Sequence, residues 1–324
     1  MLKSRLVVSI FSVGAMVLGS GMLCAQDYPN RPIRFIVPYP PGGATTTTAR
    51  LVAQKLSEAW GQQLIIDNRG GGATIVGTEL AARAAPDGYT ILLGNFGWAV
   101  TPGFHEKLSY DVVRDFSTVS LIANGSLALL VPPSAPIKSV KELIAVAKSR
   151  PGQLNFGSSG GGSSSNLGAL LFQSMTGVRM TGINYKGGGP MVVALLSREL
   201  DLIFVSISAV MSHIKSGQLR VLGVSTLKRS RTLSDVPTIA EAGIDGYELN
   251  SWYGVVVPSG TPRPVISKLN EGVVRAVKSP DVEERLIAGG LEPYSSSPAE
   301  FSKYVAKEAA KWAKLIKETG ARHD

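Results

Sequence analysis

The sequence predicts an α/β protein built as two lobes. Short β-type runs alternate along the chain with amphipathic helical stretches, the grammar of an α/β sheet. The chain, at 324 residues, exceeds the length at which a single hydrophobic core stops growing, about 250–300 residues. Three Gly-rich segments each lie between a strand pattern and a helix pattern, where open α/β sheets bind their ligands.

Each element has its own signal. Residues 33–39 form the first apolar β run. After Pro40-Pro41-Gly42-Gly43 a helix is expected, with Ala49, Val52, Ala53, Leu56 and Trp60 on one face. A strand at 64–67 leads through a Gly-rich turn to a helix over about 74–85. Pro86-Asp87-Gly88 is a turn, and 89–93 is the third strand. The pattern restarts after Pro132-Pro133. Ser139 and Glu142 have capping-box spacing, opening a helix with Val140, Leu143, Ile144 and Ala147 along one side. Strands follow at 154–156, 183–185, 200–205 and 220–224, with helices between, one of them carrying Leu167, Leu170 and Leu171. A last strand over 252–258 precedes three helices at about 264–278, 280–288 and 298–319. Ser297-Pro298-Ala299-Glu300 announces the last of these as a capping box with proline at the first helical position. A late strand followed by helices suggests that the chain returns to complete its first lobe. The expected division is 26–124 plus 253–324 for lobe 1 and 125–252 for lobe 2, with crossings near 123–126 and 250–253.

Residues 1–25 read as a secretory signal peptide. Lys3 and Arg5 precede an uncharged apolar run, which ends at Cys24-Ala25. The run is short and rich in Gly and Ser for a membrane anchor, which needs about 20 apolar residues. Cleavage near Ala25 places the mature protein in the periplasm and removes Cys24, the only cysteine. Such a chain relies on core burial without disulfides. The formal charge is +9, or +7 without Lys3 and Arg5. Export disfavours a nucleic-acid partner, and the positive charges are spread, Lys228-Arg229 with Arg231 being the densest group.

The three Gly-rich loops carry the chemistry. They span 40–46, 68–74 and 157–165. Glycine allows close approach of a ligand to the backbone, and a helix start offers unpaired N–H groups with partial positive charge. Thr45, Thr46, Ser163, Ser164 and Ser165 add hydroxyls, and the whole suits a carboxylate. Neither the phosphate loop nor the dinucleotide fingerprint is present. Gly157-Ser158-Ser159-Gly160-Gly161 matches the nucleophile-elbow pattern, with Asp201 and His213 following in order. A serine hydrolase using Ser159 is therefore the alternative. The elbow demands a sharp strand-to-helix turn, whereas the polar stretch from Ser158 to Ser165 points to a broad loop. The three histidines are isolated, so no metal site, cofactor or catalytic residue is assigned.

The sequence closely resembles the substrate-binding proteins of tripartite tricarboxylate transporters, the Bug-type receptors, from Tyr28 to about Thr319. The resemblance is carried by Tyr28-Pro29-Asn30-Arg31-Pro32-Ile33, Val37-Pro38-Tyr39-Pro40-Pro41-Gly42-Gly43, Asn68-Arg69-Gly70-Gly71-Gly72 and Pro86-Asp87-Gly88-Tyr89-Thr90. It continues through Asn155-Phe156-Gly157-Ser158-Ser159-Gly160-Gly161-Gly162, Tyr185-Lys186-Gly187, 235–243 and Pro258-Ser259-Gly260-Thr261-Pro262. It implies a periplasmic-binding-protein-like fold that closes on a small carboxylate in the interlobe cleft. Delivery would be to a two-component integral membrane permease driven by an ion gradient, with a sensor kinase as the alternative recipient and the receptor a monomer.

The expected ligand-binding residues are Tyr39, Pro41, Gly42, Gly43, Ala44, Thr45 and Thr46 in the first loop, Gly71, Gly72 and Ala73 in the second, and Phe96 beyond the third strand. The second lobe would add Ser159, Gly160, Gly161, Ser163, Ser164, Asn166, Tyr185, Gly187 and Val205. Two positions depart from the family pattern. Thr46 and Val205 stand where an aspartate is usual, which disfavours an amino-acid ligand with its ammonium group. With Tyr39, Phe96 and Trp98 as candidate walls, the sequence leans towards an aromatic carboxylate.

Overall fold

A computed structural model describes residues 28–105 and 107–322. The signal-peptide assignment and Cys24 lie outside the described residues. Eleven strands form two mixed sheets, and ten α-helices are described with them.

The first sheet starts with β1 (Ile33–Val37), where Ile33, Phe35, Ile36 and Val37 are buried and only Arg34 reaches the surface. The helix α1 (Ala44–Trp60) follows, its buried face carrying Ala49, Val52, Ala53 and Leu56. Next come β2 (Leu64–Asn68), α2 (Ile75–Ala82), β3 (Thr90–Asn95) and the short α3 (Phe96–Val100). β2 and β3 flank β1 in parallel. Three antiparallel members complete the sheet: β4 (Phe116–Gly125), β10 (Tyr253–Pro258) and β11 (Leu291–Pro293), giving the order β11-β4-β10-β3-β1-β2. The helices α8 (Arg263–Val277), α9 (Pro280–Ala288) and α10 (Pro298–Thr319) follow β10.

The second sheet has the order β7-β6-β8-β5-β9. It comprises β5 (Leu127–Val131), β6 (Asn155–Ser158), β7 (Thr181–Asn184), β8 (Leu202–Ser206) and β9 (Arg220–Val224). β6 runs parallel to β7 and β8, and β5 runs antiparallel to β8 and β9. Between them lie α4 (Val140–Ser149), α5 (Ser164–Thr176), α6 (Gly188–Leu196) and α7 (Ile207–Lys215).

Several elements differ from the sequence pattern. β4 and β5 are not among the strands expected from the sequence, although Asn124-Gly125 precedes the single residue, Ser126, that separates them, inside the crossing expected at 123–126. β1 ends at Val37, since Tyr39 N–H turns back to the Val37 carbonyl. The second helix covers Ile75–Ala82 rather than 74–85, because Thr74 has a left-handed backbone. Ser139 accepts from Glu142 N–H as expected, but the Glu142 carboxylate accepts from Lys138 N–H, so only half of the box forms. The box at Ser297 and Glu300 is complete.

The registers fix which ends of the strands meet. The chain passes between sheets at Ser126 and returns between Leu249 and Tyr253. Tyr253, at the start of β10, is opposite Asn95, at the end of β3. Leu127, at the start of β5, is opposite Ser206, at the end of β8. The carboxyl ends of β1, β2 and β3 therefore face those of β6, β7 and β8 across the two crossings. Ser126 and Thr226 join their hydroxyls at 3.0 Å, and Ser251 N–H donates to the Gly125 carbonyl at 2.9 Å. α10 does not stay with the first sheet. It packs on β4 and α3, but also touches α5, and Lys311 Nζ donates to the Glu248 carbonyl. Ala321 and Arg322 beyond it reach a groove with Phe156, Leu170 and Met180.

Candidate functional site

Five helices of eight residues or more start at this junction: α1, α2, α5, α6 and α7. Their first turns contain no acidic residue. The helices α4, α9 and α10 start elsewhere, and each carries acid there: Glu142, Asp281 with Glu283, and Glu300. An acidic first turn is the ordinary way to satisfy a helix's positive end. Its omission at the cleft leaves that potential for a ligand. α8 also lacks a first-turn acid, though it begins at the opposite end of the sheet and with a proline. Side-chain caps are missing as well from α1, α2, α6 and α7, where Gly43, Thr74, Gly187 and Ser206 make no capping bond.

The first loop is built around Asn68. Its amide donates to the Tyr39 carbonyl at 3.0 Å and to Thr46 Oγ1 at 2.8 Å, tying β2 to the start of α1. Thr46 is 1% exposed, and its hydroxyl oxygen, as the acceptor of the Asn68 amide, ties the loop together. Pro41, Gly42, Gly43 and Ala44 are exposed, and Thr45 is half-buried. The left-handed residue is Gly42, with φ 99°, whereas Gly43 is extended at φ −87° and has nothing within 4 Å of where a Cβ would sit. Gly70 brings the second loop flush against the first, since a Cβ there would lie 2.6 Å from Pro40 Cδ.

The second loop has an uncommon backbone. Gly72, Ala73 and Thr74 are left-handed in succession, at φ 54°, 50° and 87°. For alanine, and more so for β-branched threonine, this conformation costs of order 1–3 kcal/mol per residue. Among the described residues, the N–H groups of Gly71 to Thr74 donate to no protein acceptor. Gly71 and Gly72 are exposed, Ala73 is half-buried, and Thr74 is 2% exposed.

Tyr39 lies between the loops and β3. Its hydroxyl is 3.3 Å from Asn95 Oδ1 and accepts from Asn95 Nδ2 at 3.1 Å, and burial pushes its pKa up to about 12. Tyr253, at the return crossing, has its pKa raised by burial, opposed by the Thr45 and Ser251 hydroxyls beside it. Sequence reasoning missed Asn95 and Tyr253, and left Asn68 as a motif letter. An amide at the end of a β run, ahead of glycines or a helix start, is the signal that could have found both asparagines.

Phe96 is not a cleft wall. It is 4% exposed and packs edge-on against Trp312, with ring centroids 5.1 Å apart. Trp98 is fully buried between Phe116 and Trp252. Asn95 accepts from Trp98 N–H, and this cap turns both rings inward from the strand end. Of the three expected aromatic walls, only Tyr39 keeps partial access.

In the second lobe the serine loop is held by its own hydroxyls. Ser163 donates to the Gly160 carbonyl at 2.7 Å, and Ser165 lies 3.0 Å from Ser159 Oγ and 2.9 Å from Ser163 Oγ. Asn166 Nδ2 donates to the Gly161 carbonyl, which itself is buried. The Ser163 hydroxyl is thus occupied within the loop, contrary to expectation, while Ser164 makes no side-chain bond. Tyr185 N–H donates to the Ser158 carbonyl, and Gly187, at φ 100°, opens α6. Val205 is 6% exposed and faces Gly188 at the start of α6.

The hydrolase alternative fails on placement. Asp201 accepts from Asn155 N–H at the start of β6, whereas Ser159 follows its other end. His213 Nδ1 pairs with Gln218 Oε1 late in α7.

Comparison with known proteins agrees with this architecture. Residues 48–321 match the tripartite tricarboxylate transporter family receptor. BugT of Bordetella pertussis is 36% identical over 318 residues, covering 98% of this chain and 97% of BugT. The solved structure of R. palustris Rpa4515 with adipate is 38% identical, with a TM-score of 0.76, covering 91% of this chain and 99% of that one. MatC from Rhodopseudomonas palustris, with bound malate, is 30% identical with a TM-score of 0.73, covering 89% and 100%. With its two mixed sheets, its cleft of helix starts and a match across most of its length, the chain belongs to the tripartite tricarboxylate transporter family of receptors.

Proposed function

We propose that the protein is a periplasmic receptor that closes on a small carboxylate and hands it to a two-component membrane permease. One observation carries this reading: five uncapped or lightly capped helix starts meet at one junction with no acidic residue in their first turns. Partial positive charge from amides, focused where water is displaced, suits an anion that brings no cation of its own. Thr46 and Val205 are neutral and buried, so neither offers an ammonium group a partner. The relatives with adipate and malate support an acyclic carboxylate. With Phe96 and Trp98 in the core, the lean towards an aromatic acid rests on Tyr39 alone.

The lobes would divide as 26–124 plus 253–324 and 125–252. Among the described residues no helix is long and apolar enough to cross a membrane. A thermal-shift screen tests the assignment, using adipate, malate, citrate, benzoate, nicotinate and glutamate. A ligand at 100 times its Kd adds about 2.7 kcal/mol of stability. Stabilisation by at least one carboxylate is expected, and by glutamate least. No shift with any acid, alongside a shift with a cationic or neutral solute, would sink the proposal.

A further inference from the structure

We propose that Thr101, outside the cleft, is a positioning residue that holds the amide cradle of the second loop in its binding shape. This rests on reading the cleft as an anion site. Thr101 follows α3 in a short 3-10 turn and is 4% exposed. Its hydroxyl oxygen lies 2.7 Å from the Ala73 carbonyl, 2.8 Å from the Gly97 carbonyl and 3.3 Å from Thr74 Oγ1. Its single proton can satisfy one carbonyl at a time, and the Thr74 hydroxyl can donate to the oxygen. Thr78 Oγ1 donates to the Thr74 carbonyl at 2.8 Å, fixing the loop from the α2 side.

These bonds grip the peptides that adopt the least favourable backbone in the loop. Ala73 and Thr74 would leave the left-handed region if nothing held their carbonyls. Successive residues of one helical hand turn their N–H groups towards the same end, and unpaired N–H groups aligned in that way just ahead of a helix attract an anion. The N–H groups of Gly71 to Thr74 are the ones without protein acceptors. The Val76 and Ile75 side chains lie close to the loop from the helix side: a Cβ added to Gly71 would be 3.0 Å from Val76 Cγ2 and one added to Gly72 3.3 Å from Ile75 Cβ.

The test compares wild type with Thr101→Val, which keeps the shape and removes the hydroxyl, and Thr101→Ser, which restores it. Thr101→Ala serves if the valine variant does not fold. Adipate affinity is measured by calorimetry, and the backbone angles of Ala73 and Thr74 are followed by NMR scalar couplings without ligand. Thr101→Val should bind adipate about tenfold or more weakly, a change of ~1.4 kcal/mol, with Ala73, whose carbonyl loses its partner, leaving positive φ. Thr101→Ser should restore both. A purely structural hydroxyl would lower the melting temperature and leave affinity and φ unchanged, and that result overturns the inference. If wild type binds none of the acids, the anion reading falls, and the couplings still decide whether Thr101 sets the loop.

Discussion

Gly43→Val places two methyl groups before the free amides at the start of α1. The structure makes this a clean perturbation. Gly43 is extended at φ −87° and ψ 172°, which valine adopts readily, and no atom lies within 4 Å of the added Cβ. The fold should lose only the N-cap difference between glycine and a β-branched residue, about 0.5–1 kcal/mol. A carboxylate displaced from one charge-assisted hydrogen bond forfeits about 1.5–3 kcal/mol. At ~1.4 kcal/mol per decade, Kd should rise roughly ten- to hundredfold. Calorimetry with the acid selected by the thermal-shift screen measures the change, and circular dichroism checks the fold. A folded variant that binds as tightly as wild type would place the carboxylate away from α1, and the amides of Gly71 to Thr74 would be examined next.

Four further outcomes are expected. Phe96→Leu should lower stability by about 1 kcal/mol through lost contact with Trp312, while calorimetry finds affinity unchanged; an affinity loss would return Phe96 to the cleft. Neither wild type nor Ser159→Ala should hydrolyse a generic ester in a spectrophotometric assay, because Asp201 and His213 lie away from Ser159; turnover by wild type that the variant loses would contradict this. Small-angle scattering should give a smaller radius of gyration at saturating ligand, through rotation about Ser126 and 249–253; an unchanged radius counts against closure. Glu308→Gln should flatten the pH dependence of stability. Burial raises the Glu308 pKa despite the Trp312 N–H and the Lys311 charge, so its favourable contribution is full below the ordinary carboxylate pKa. That contribution declines as pH rises through the folded value. Denaturant titrations between acid and neutral pH should show that decline in wild type only.

The sequence exposed what is periodic and local. The buried face of α1, the capping box at Ser297 and the glycine loops after strands all follow from nearest-neighbour chemistry. β4 and β5 did not, because a nearly continuous buried run passes through both without the alternation of a half-exposed strand, even though Asn124-Gly125 marks the crossing between them. Hydroxyl-rich loops were a harder case. Thr46, Ser163 and Ser165 look like ligand donors until their partners are known, and those partners are Asn68, Gly160 and one another. Phe96 was misplaced because a residue just past a strand end faces either way; the Asn95 cap decides it. The left-handed backbone at Ala73 and Thr74 leaves no mark in residue type, since glycine would have been the ordinary choice there.

α10 makes the mechanics of the molecule different from those of two bodies on a simple hinge. The crossings at Ser126 and 249–253 run side by side and alone would leave the lobes free to bend and to twist. A helix seated on β4 and α3, which also touches α5 and holds the Glu248 carbonyl, adds a third attachment off that axis. Such a third attachment would resist torsion between the lobes more than two adjacent crossings alone. Under the proposed closure, the two halves of the anion site would then meet in one alignment, as the jaws of a guided clamp do.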